Sequence, residues 1–138
     1  MKLTRRNAIA LGAGALLVAG LPIRAFAATE EAIAAFTGGA EVGEGDISLT
    51  APEIAENGNT VPIEVSSETA VEILVLATGN PTPGVATFKF GKLSASRAAS
   101  TRIRLAGTQD VMAIAKLEDG SFVQASSTVK VTIGGCGG

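Results

Sequence analysis

Alternating apolar and polar residues divide most of the chain into short segments with a period of two. Val61, Ile63 and Val65, for example, alternate with polar residues, which is the pattern of a strand with one buried face. Seven such segments occur, at residues 47–49, 61–65, 71–77, 86–90, 101–105, 111–117 and 123–133. Seven short strands separated by turns within about 90 residues predict an all-β, immunoglobulin-like β-sandwich.

Two of these strands have features that predict their place in a sheet. In residues 71–77 the second face is also apolar, because Leu74 and Leu76 lie on it, and this favours a central strand. Pro62 has no backbone N–H to donate, so we expect the strand at 61–65 to lie at an edge. The last strand is predicted to run to Ile133 and directly into a glycine-rich arm at residues 134–138.

One short helix is predicted before the strands, over residues 29–36. Thr29 is suited to its N-cap, and Gly38 with Gly39 marks its end. Ile33 and Phe36 share one face and are expected to pack the helix on the sandwich.

Residues 1–27 have the features of a cleaved export signal. A basic start is followed by an apolar run too short to anchor the chain well in a bilayer, and Ala27 ends a small-x-small site. Arg5 and Arg6 follow a hydroxyl residue and resemble the twin-arginine signal. Cleavage after Ala27 and a periplasmic location are predicted, and an ordinary secretory signal would lead to the same compartment.

Charge and size limit what the remaining chain does. Four of the 11 basic residues lie in residues 1–27, whereas all 13 acidic residues follow, so seven basic and 13 acidic residues leave a formal charge of −6. No basic stripe indicates nucleic acid, and no membrane partner is expected. Residues 28–133 are predicted to form one domain.

The chain has one cysteine, Cys136, with Gly134, Gly135, Gly137 and Gly138 around it. Four glycines favour a flexible arm, and five residues reach at most about 17 Å. With no histidine and no second cysteine, no metal site or cofactor is expected. A thiol with a pKa of about 8.5 and no neighbouring base is accessible but weakly activated, which favours a carrier over an enzyme.

Arg102 and Arg104 lie two residues apart on one strand face. A solvated outer face and a patch that binds a partner protein both explain this pair, and the sequence does not separate the two.

Several sequence motifs together resemble the SoxY family, the sulfur carrier subunits of the periplasmic Sox system for thiosulfate oxidation. They are Glu56-Asn57-Gly58-Asn59-Thr60-Val61-Pro62, Asn80-Pro81 with Pro83, residues 102–109, Asp119-Gly120-Ser121-Phe122 and Gly134-Gly135-Cys136-Gly137-Gly138. The resemblance implies a heterodimer with a SoxZ-like subunit, and covalent attachment of thiosulfate-derived sulfur to Cys136. It also implies a c-type haem enzyme that loads the thiol, a dimanganese hydrolase that releases sulfate and a sulfane dehydrogenase.

Two other classes of protein fit some of these features. An exported immunoglobulin-like binding module would use Cys136 for a permanent disulfide between two chains. A thiol oxidoreductase would need a base or a second cysteine, and neither is present beside Cys136.

Overall fold

The computed structural model describes residues 23–133 of the 138-residue chain, with side chains from Ala27 onward. Helix α1 spans Ile23–Thr37. The strands are β1 Val42–Gly43, β2 Ser48–Thr50, β3 Ile54–Ala55, β4 Val61–Ser66, β5 Ala70–Ala77, β6 Gly84–Lys89, β7 Ala98–Ile103, β8 Gln109–Leu117 and β9 Phe122–Val131. The seven longer strands match the seven predicted ones. β1 and β3 have two residues each, which is too short for alternation to be visible.

The strands of the described residues form two sheets. The larger has the order β1-β9-β8-β5-β6, with β3 also pairing with β9, and the smaller has the order β2-β4-β7. β9 is antiparallel to β8 and parallel to both β1 and β3. The fold is an immunoglobulin-like β-sandwich, as predicted. β5 lies between β8 and β6 and is central, also as predicted.

The larger sheet is buried on both faces at its centre, where β5 and β8 lie. Its inner face packs on the smaller sheet around fully buried residues such as Val61, Ile73 and Val111. Its outer face is covered by α1, where Leu74 belongs to a second apolar cluster and the rings of Phe36 and Phe122 meet edge to face at 5.7 Å. The apolar second face of β5 is therefore explained by the helix.

The predicted end of α1 is confirmed, but its predicted start is wrong. The N–H of Gly38 donates to the carbonyl oxygen of Ala34, and Gly38 and Gly39 have φ values of +67° and +88°. The helix begins at Ile23, so Thr29 lies inside it rather than at its N-cap. The alanine-rich sequence before Thr29 has high helix propensity and contains no residue that stops a helix.

The predicted edge position of Pro62 is also wrong. β4 is the middle strand of the smaller sheet, between β2 and β7. β2, however, pairs only with residues from Glu64 to Ser66, so it ends before it reaches Pro62. The missing N–H is tolerated because only β7 pairs with this part of the strand.

The last strand is shorter than predicted. Its buried alternation holds at Val123 and Val129, but β9 ends at Val131 and Ile133 is 67% exposed. Thr132 and Ile133 therefore separate the strand from Gly134.

Candidate functional site

The predicted arm, Gly134, Gly135, Cys136, Gly137 and Gly138, lies outside the described residues, as do Arg5 and Arg6. What the structure describes is the arm's base, the last residues before Gly134 and the loops that hold them. Its geometry determines where the chain leaves the sandwich.

Segment 53–58 holds one side of the arm's base. The N–H of Lys130 donates to the carbonyl oxygen of Glu53 at 2.9 Å, and the N–H of Thr132 donates to that of Ala55 at 3.0 Å. The hydroxyl of Thr132 donates to the carbonyl oxygen of Glu56 at 3.2 Å. The chain therefore stays hydrogen-bonded to its neighbour beyond the end of β9.

Thr108 holds the other side. Its side-chain oxygen, Oγ1, accepts a hydrogen bond from the N–H of Val131 at 2.9 Å. Thr108 lies just before β8, where the antiparallel pairing with β9 starts at Gln109 and Val129. A side chain therefore continues the contact between these strands after their ladder has ended.

Gly58 connects the arm's base to a third loop. This buried glycine donates its N–H to the carbonyl oxygen of Ile133 at 2.9 Å, and its own carbonyl oxygen accepts from the N–H of Leu105 at 2.7 Å. The turn around Gly58 is closed by Asn57, whose Oδ1 accepts from the N–H of Asn59 at 3.0 Å. The last described residue is thus fixed to the loop that follows β7.

Two buried amides tie that loop to the turn between β5 and β6. Asn80 donates from Nδ2 to the carbonyl oxygen of Arg104 at 2.8 Å, and its Oδ1 accepts from the N–H of Ala106 at 2.9 Å and from Nε2 of Gln109 at 2.8 Å. The oxygen Oε1 of Gln109 accepts from the N–H of Gly79 at 2.9 Å. Because both amides are buried and satisfied, they restrict the relative movement of these loops.

Gly79 is required by this network. A Cβ built at Gly79 would lie 2.9 Å from the Cβ of Gln109, closer than two carbon atoms pack. The Asn80-Pro81 motif is visible in the sequence, whereas the contact between Asn80 and Gln109 is not. The network depends on a long-range approach that no local pattern encodes.

Arg102 lies on the outer face of β7, close to the arm's base, whereas Arg104 lies just after β7 ends at Ile103 and so outside the strand on which it was predicted; both are exposed. Arg102 pairs across the sheet with Pro62, and its Nη1 lies 3.4 Å from the hydroxyl oxygen of Thr60. Thr60 belongs to the turn that contains Gly58. The structure therefore brings the predicted arginine pair close to the arm's base.

A groove lies at the opposite end of the sandwich, beside Asp46 and Arg97. The hydroxyl of Thr69 chiefly, together with the N–H of Glu68 and the hydroxyl of Ser67, lowers the pKa of Asp46 below its ordinary value of 3.8. Arg97 is paired with Glu118 and donates to the carbonyl oxygen of Ala70. These groups hold the turn between β4 and β5 and have no contact with the arm's base.

Among residues 23–133, no group of three or more acidic, histidine or cysteine side chains is arranged to hold a metal ion. Helix α1, the helix within that range, is not long and apolar enough to cross a membrane.

The fold and the anchored base define a class of protein: an immunoglobulin-like β-sandwich whose last strand leads into a cysteine-containing extension. The sequence profile of the family described as "Sulfur oxidation protein SoxY" matches residues 33–136, three quarters of the chain. The chain belongs to the SoxY family of sulfur oxidation proteins. The matched region ends at Cys136.

A solved SoxY structure agrees with this family, and a second solved structure shares the fold. The sulfur carrier protein SoxY from Chlorobium limicola f thiosulfatophilum is 33% identical, with a TM-score of 0.67 over 78% of this chain and 98% of that chain. A superoxide reductase (neelaredoxin) from Ignicoccus hospitalis is 16% identical, with a TM-score of 0.56 over 63% of this chain and 80% of that chain. This second likeness shows the fold alone. No curated protein sequence matches the chain.

Proposed function

We propose that this protein carries thiosulfate-derived sulfur covalently on Cys136 and presents it to partner enzymes during thiosulfate oxidation. The observation that carries the proposal is the family match, which includes Cys136 as its last residue. The anchored base of the arm supports it, because a carrier needs a fixed origin for a movable thiol. The chain itself is proposed to be non-catalytic.

Loading joins the sulfur atom of Cys136 to the outer sulfur of thiosulfate. A sulfur–sulfur bond forms, the thiol proton is lost and two electrons leave, giving an S-thiosulfonate. The electrons pass to a c-type haem enzyme, the oxidant that the family resemblance implies. The chain has no histidine to act as a base, so activation of the thiol falls to that enzyme.

Release of sulfate is a hydrolysis. Water supplies an oxygen to the terminal sulfonate, the bond between the two outer sulfur atoms breaks, and a persulfide remains on Cys136 with sulfate and a proton as products. A dimanganese hydrolase performs this step in the proposal. A sulfane dehydrogenase, where present, then oxidises the remaining sulfur.

The proposed partner subunit is SoxZ-like and forms a heterodimer with this chain. β7 supports this proposal, because it lies at the edge of the smaller sheet and pairs only with β4 among the described strands. An edge strand offers free backbone groups to a second chain. Export through the signal at residues 1–27, with cleavage after Ala27, would place the complex in the periplasm.

Intact mass spectrometry tests the function. The protein is isolated from the periplasm of cells given thiosulfate and measured with and without reductant. We expect an adduct containing added sulfur that reductant removes and that is absent from Cys136→Ser. A permanent disulfide dimer with no sulfur adduct would overturn the proposal in favour of the binding-module alternative.

A further inference from the structure

The sequence contains a single Asn-Gly step, Asn57-Gly58, and it forms part of the arm's base. An asparagine followed by glycine is especially prone to spontaneous deamidation, because glycine has no Cβ to shield its backbone nitrogen. In that reaction the glycine nitrogen attacks Cγ of the asparagine side chain, and ammonia leaves. The residues for a covalent modification therefore lie at the point that holds Ile133.

The turn prepares the asparagine side chain for this attack. Oδ1 of Asn57 accepts a hydrogen bond from the N–H of Asn59 at 3.0 Å. This bond closes a ring of atoms that spans Gly58, so the side chain is folded back over the glycine backbone. A donor on the carbonyl oxygen also stabilises the negative charge that develops there when a nucleophile attacks Cγ. Asn57 is exposed, so water reaches this side chain.

The backbone nitrogen of Gly58, in contrast, is held in an unreactive state. Gly58 is buried, and its N–H donates to the carbonyl oxygen of Ile133 at 2.9 Å. An amide nitrogen becomes a nucleophile only when it loses its proton, and this proton is shielded from solvent and bonded to an acceptor. The carbonyl oxygen of Gly58 accepts from the N–H of Leu105 at 2.7 Å, which restricts rotation of the glycine. The electrophile is therefore prepared, while two distant segments block the nucleophile.

We propose that Asn57 is a site of spontaneous deamidation, and that the hydrogen bond between Gly58 and Ile133 sets its rate. When this bond opens, the Gly58 nitrogen loses its proton and bonds to Cγ of Asn57. Ammonia leaves with that proton, and a cyclic succinimide remains. Water then opens the ring at either carbonyl carbon and gives aspartate or isoaspartate. Water is the only co-reactant, and nothing is oxidised or reduced.

The two products affect the arm's base differently. Aspartate keeps the length of the backbone and an acceptor oxygen for the N–H of Asn59, so the contacts of Gly58 are retained. Isoaspartate routes the backbone through its side chain and adds a methylene group before Gly58. This displaces the glycine from both Ile133 and Leu105. Formation of isoaspartate is therefore expected to release Ile133 irreversibly.

The first measurement compares the folded protein with a peptide. Peptide mapping by mass spectrometry follows the conversion of Asn57 to aspartate and isoaspartate in the full chain at mildly alkaline pH. A synthetic peptide of residues 53–62 gives the rate of the same reaction without the fold. The folded protein is expected to react at least about tenfold more slowly, because the reactive state requires buried hydrogen bonds to open. Equal rates would overturn the inference.

The second measurement loosens the arm's base. Thr108→Val, Thr132→Val removes two of its side-chain hydrogen bonds and is expected to raise the deamidation rate about two- to tenfold. Thr69→Val is the matched control, because it removes a hydroxyl that donates to Asp46 at the opposite end of the sandwich. Its rate should equal that of wild type. Equal acceleration in both variants would mean that the reaction proceeds from the globally unfolded chain, and no reaction in the double variant would exclude the site; either result overturns the inference.

Hydrogen exchange tests the consequence of the modification. The isoaspartate form, separated by chromatography, is expected to exchange the amide of Leu105 faster than unmodified protein, because Leu105 loses its acceptor on Gly58. Asn57→Asp supplies the aspartate form directly and should exchange like wild type. Unchanged exchange in the isoaspartate form would contradict the release of the base. None of these measurements requires thiosulfate or a partner protein, so they stand or fall separately from the proposed function.

Discussion

The backbone N–H of Gly58 donates to the carbonyl oxygen of Ile133 at 2.9 Å. Gly58 comes from the turn before β4, so the chain is held by a distant segment one residue before the predicted arm begins. We therefore expect the predicted arm to move about a point beyond Ile133, and not about the end of β9.

The hydrogen bond between Thr108 and Val131 can be removed by mutation without changing the one between Gly58 and Ile133. Thr108→Val removes the hydroxyl oxygen that accepts from the Val131 N–H and is expected to lower the free energy of unfolding by about 0.5–1.5 kcal/mol. Denaturant titration measures the loss, and hydrogen exchange should show faster exchange at the Val131 amide. Thr108→Ser keeps the oxygen and should restore both values. Unchanged exchange in Thr108→Val would contradict the assignment.

Cys136 is expected to contribute chemistry and almost no stability. Cys136→Ser should change the free energy of unfolding by no more than about 0.5 kcal/mol, the usual range for surface substitutions. It should abolish sulfur loading, because a serine oxygen cannot form the required sulfur–sulfur bond. Thermal unfolding tests the unchanged stability, and the intact mass of the same sample tests the loss of sulfur loading. A large drop in melting temperature would mean that Cys136 packs on the domain.

The glycines before Cys136 are expected to let the cysteine enter the active sites of partner enzymes. Gly134→Val, Gly135→Val would stiffen the arm and crowd a narrow active-site channel. Alkylation of the thiol by a small reagent should stay near the wild-type rate, while thiosulfate-dependent turnover with the partner enzymes falls. Gly134→Ala, Gly135→Ala is the milder control. Its turnover should lie between that of the wild type and that of the valine variant. Wild-type turnover in the valine variant would refute the flexible-arm hypothesis.

Gly79 should tolerate no side chain. Gly79→Ala places a methyl group 2.9 Å from the Cβ of Gln109 and is expected to cost about 1–3 kcal/mol of unfolding free energy through overpacking. Gly84→Ala is the control, since a Cβ there meets nothing within 4 Å. Equal stability of the two variants in denaturant would show that the loops around Asn80 rearrange freely.

The lowered pKa of Asp46 predicts that the free energy of unfolding depends on pH. Its pKa is lower in the folded protein than the ordinary 3.8, so the folded state binds fewer protons than the unfolded state. The resulting stability is fully present above pH 3.8 and is lost as the pH falls through the folded pKa. Asp46→Ala should therefore destabilise the protein at pH 7, and the difference from wild type should shrink below pH 3.8.

Melting temperatures of wild type and Asp46→Ala, measured between pH 2 and pH 7, test whether the stability contributed by Asp46 is lost as the pH falls. Asp46→Asn keeps an acceptor oxygen for the Thr69 hydroxyl but removes the charge, so it should recover part of the stability and none of the pH dependence. A difference from wild type that is undiminished at pH 2 would mean that the stability contributed by Asp46 does not depend on its charge.

Period-two alternation was sufficient to predict the seven longer strands and the central position of β5, because burial on one or both faces is visible in the residue types. It could not predict β1 and β3, which are two residues long. The sequence predicted the wrong position for the Pro62 strand, because the residue types do not show how far the neighbouring strand extends; β2 ends at the residue opposite Glu64.

The surroundings of the arm were less predictable than its cysteine. Cys136 and its glycines stand out locally, whereas the base is built from Gly58, Thr108 and Asn80, which are far apart in sequence. The arginine pair was noted from alternation alone. Its closeness to the arm's base depends on the turn at Thr60, which only the folded chain defines.

The position of β9 between two neighbouring strands also has a mechanical consequence. Near its C-terminal end the strand is hydrogen-bonded to β8 on one side and to β3 on the other. Tension applied along the strand therefore acts on both rows of hydrogen bonds in shear, and many must break together. A force perpendicular to the strand would instead break these hydrogen bonds one at a time. We therefore expect the sandwich to resist unfolding when the chain beyond Ile133 is pulled along the direction of β9.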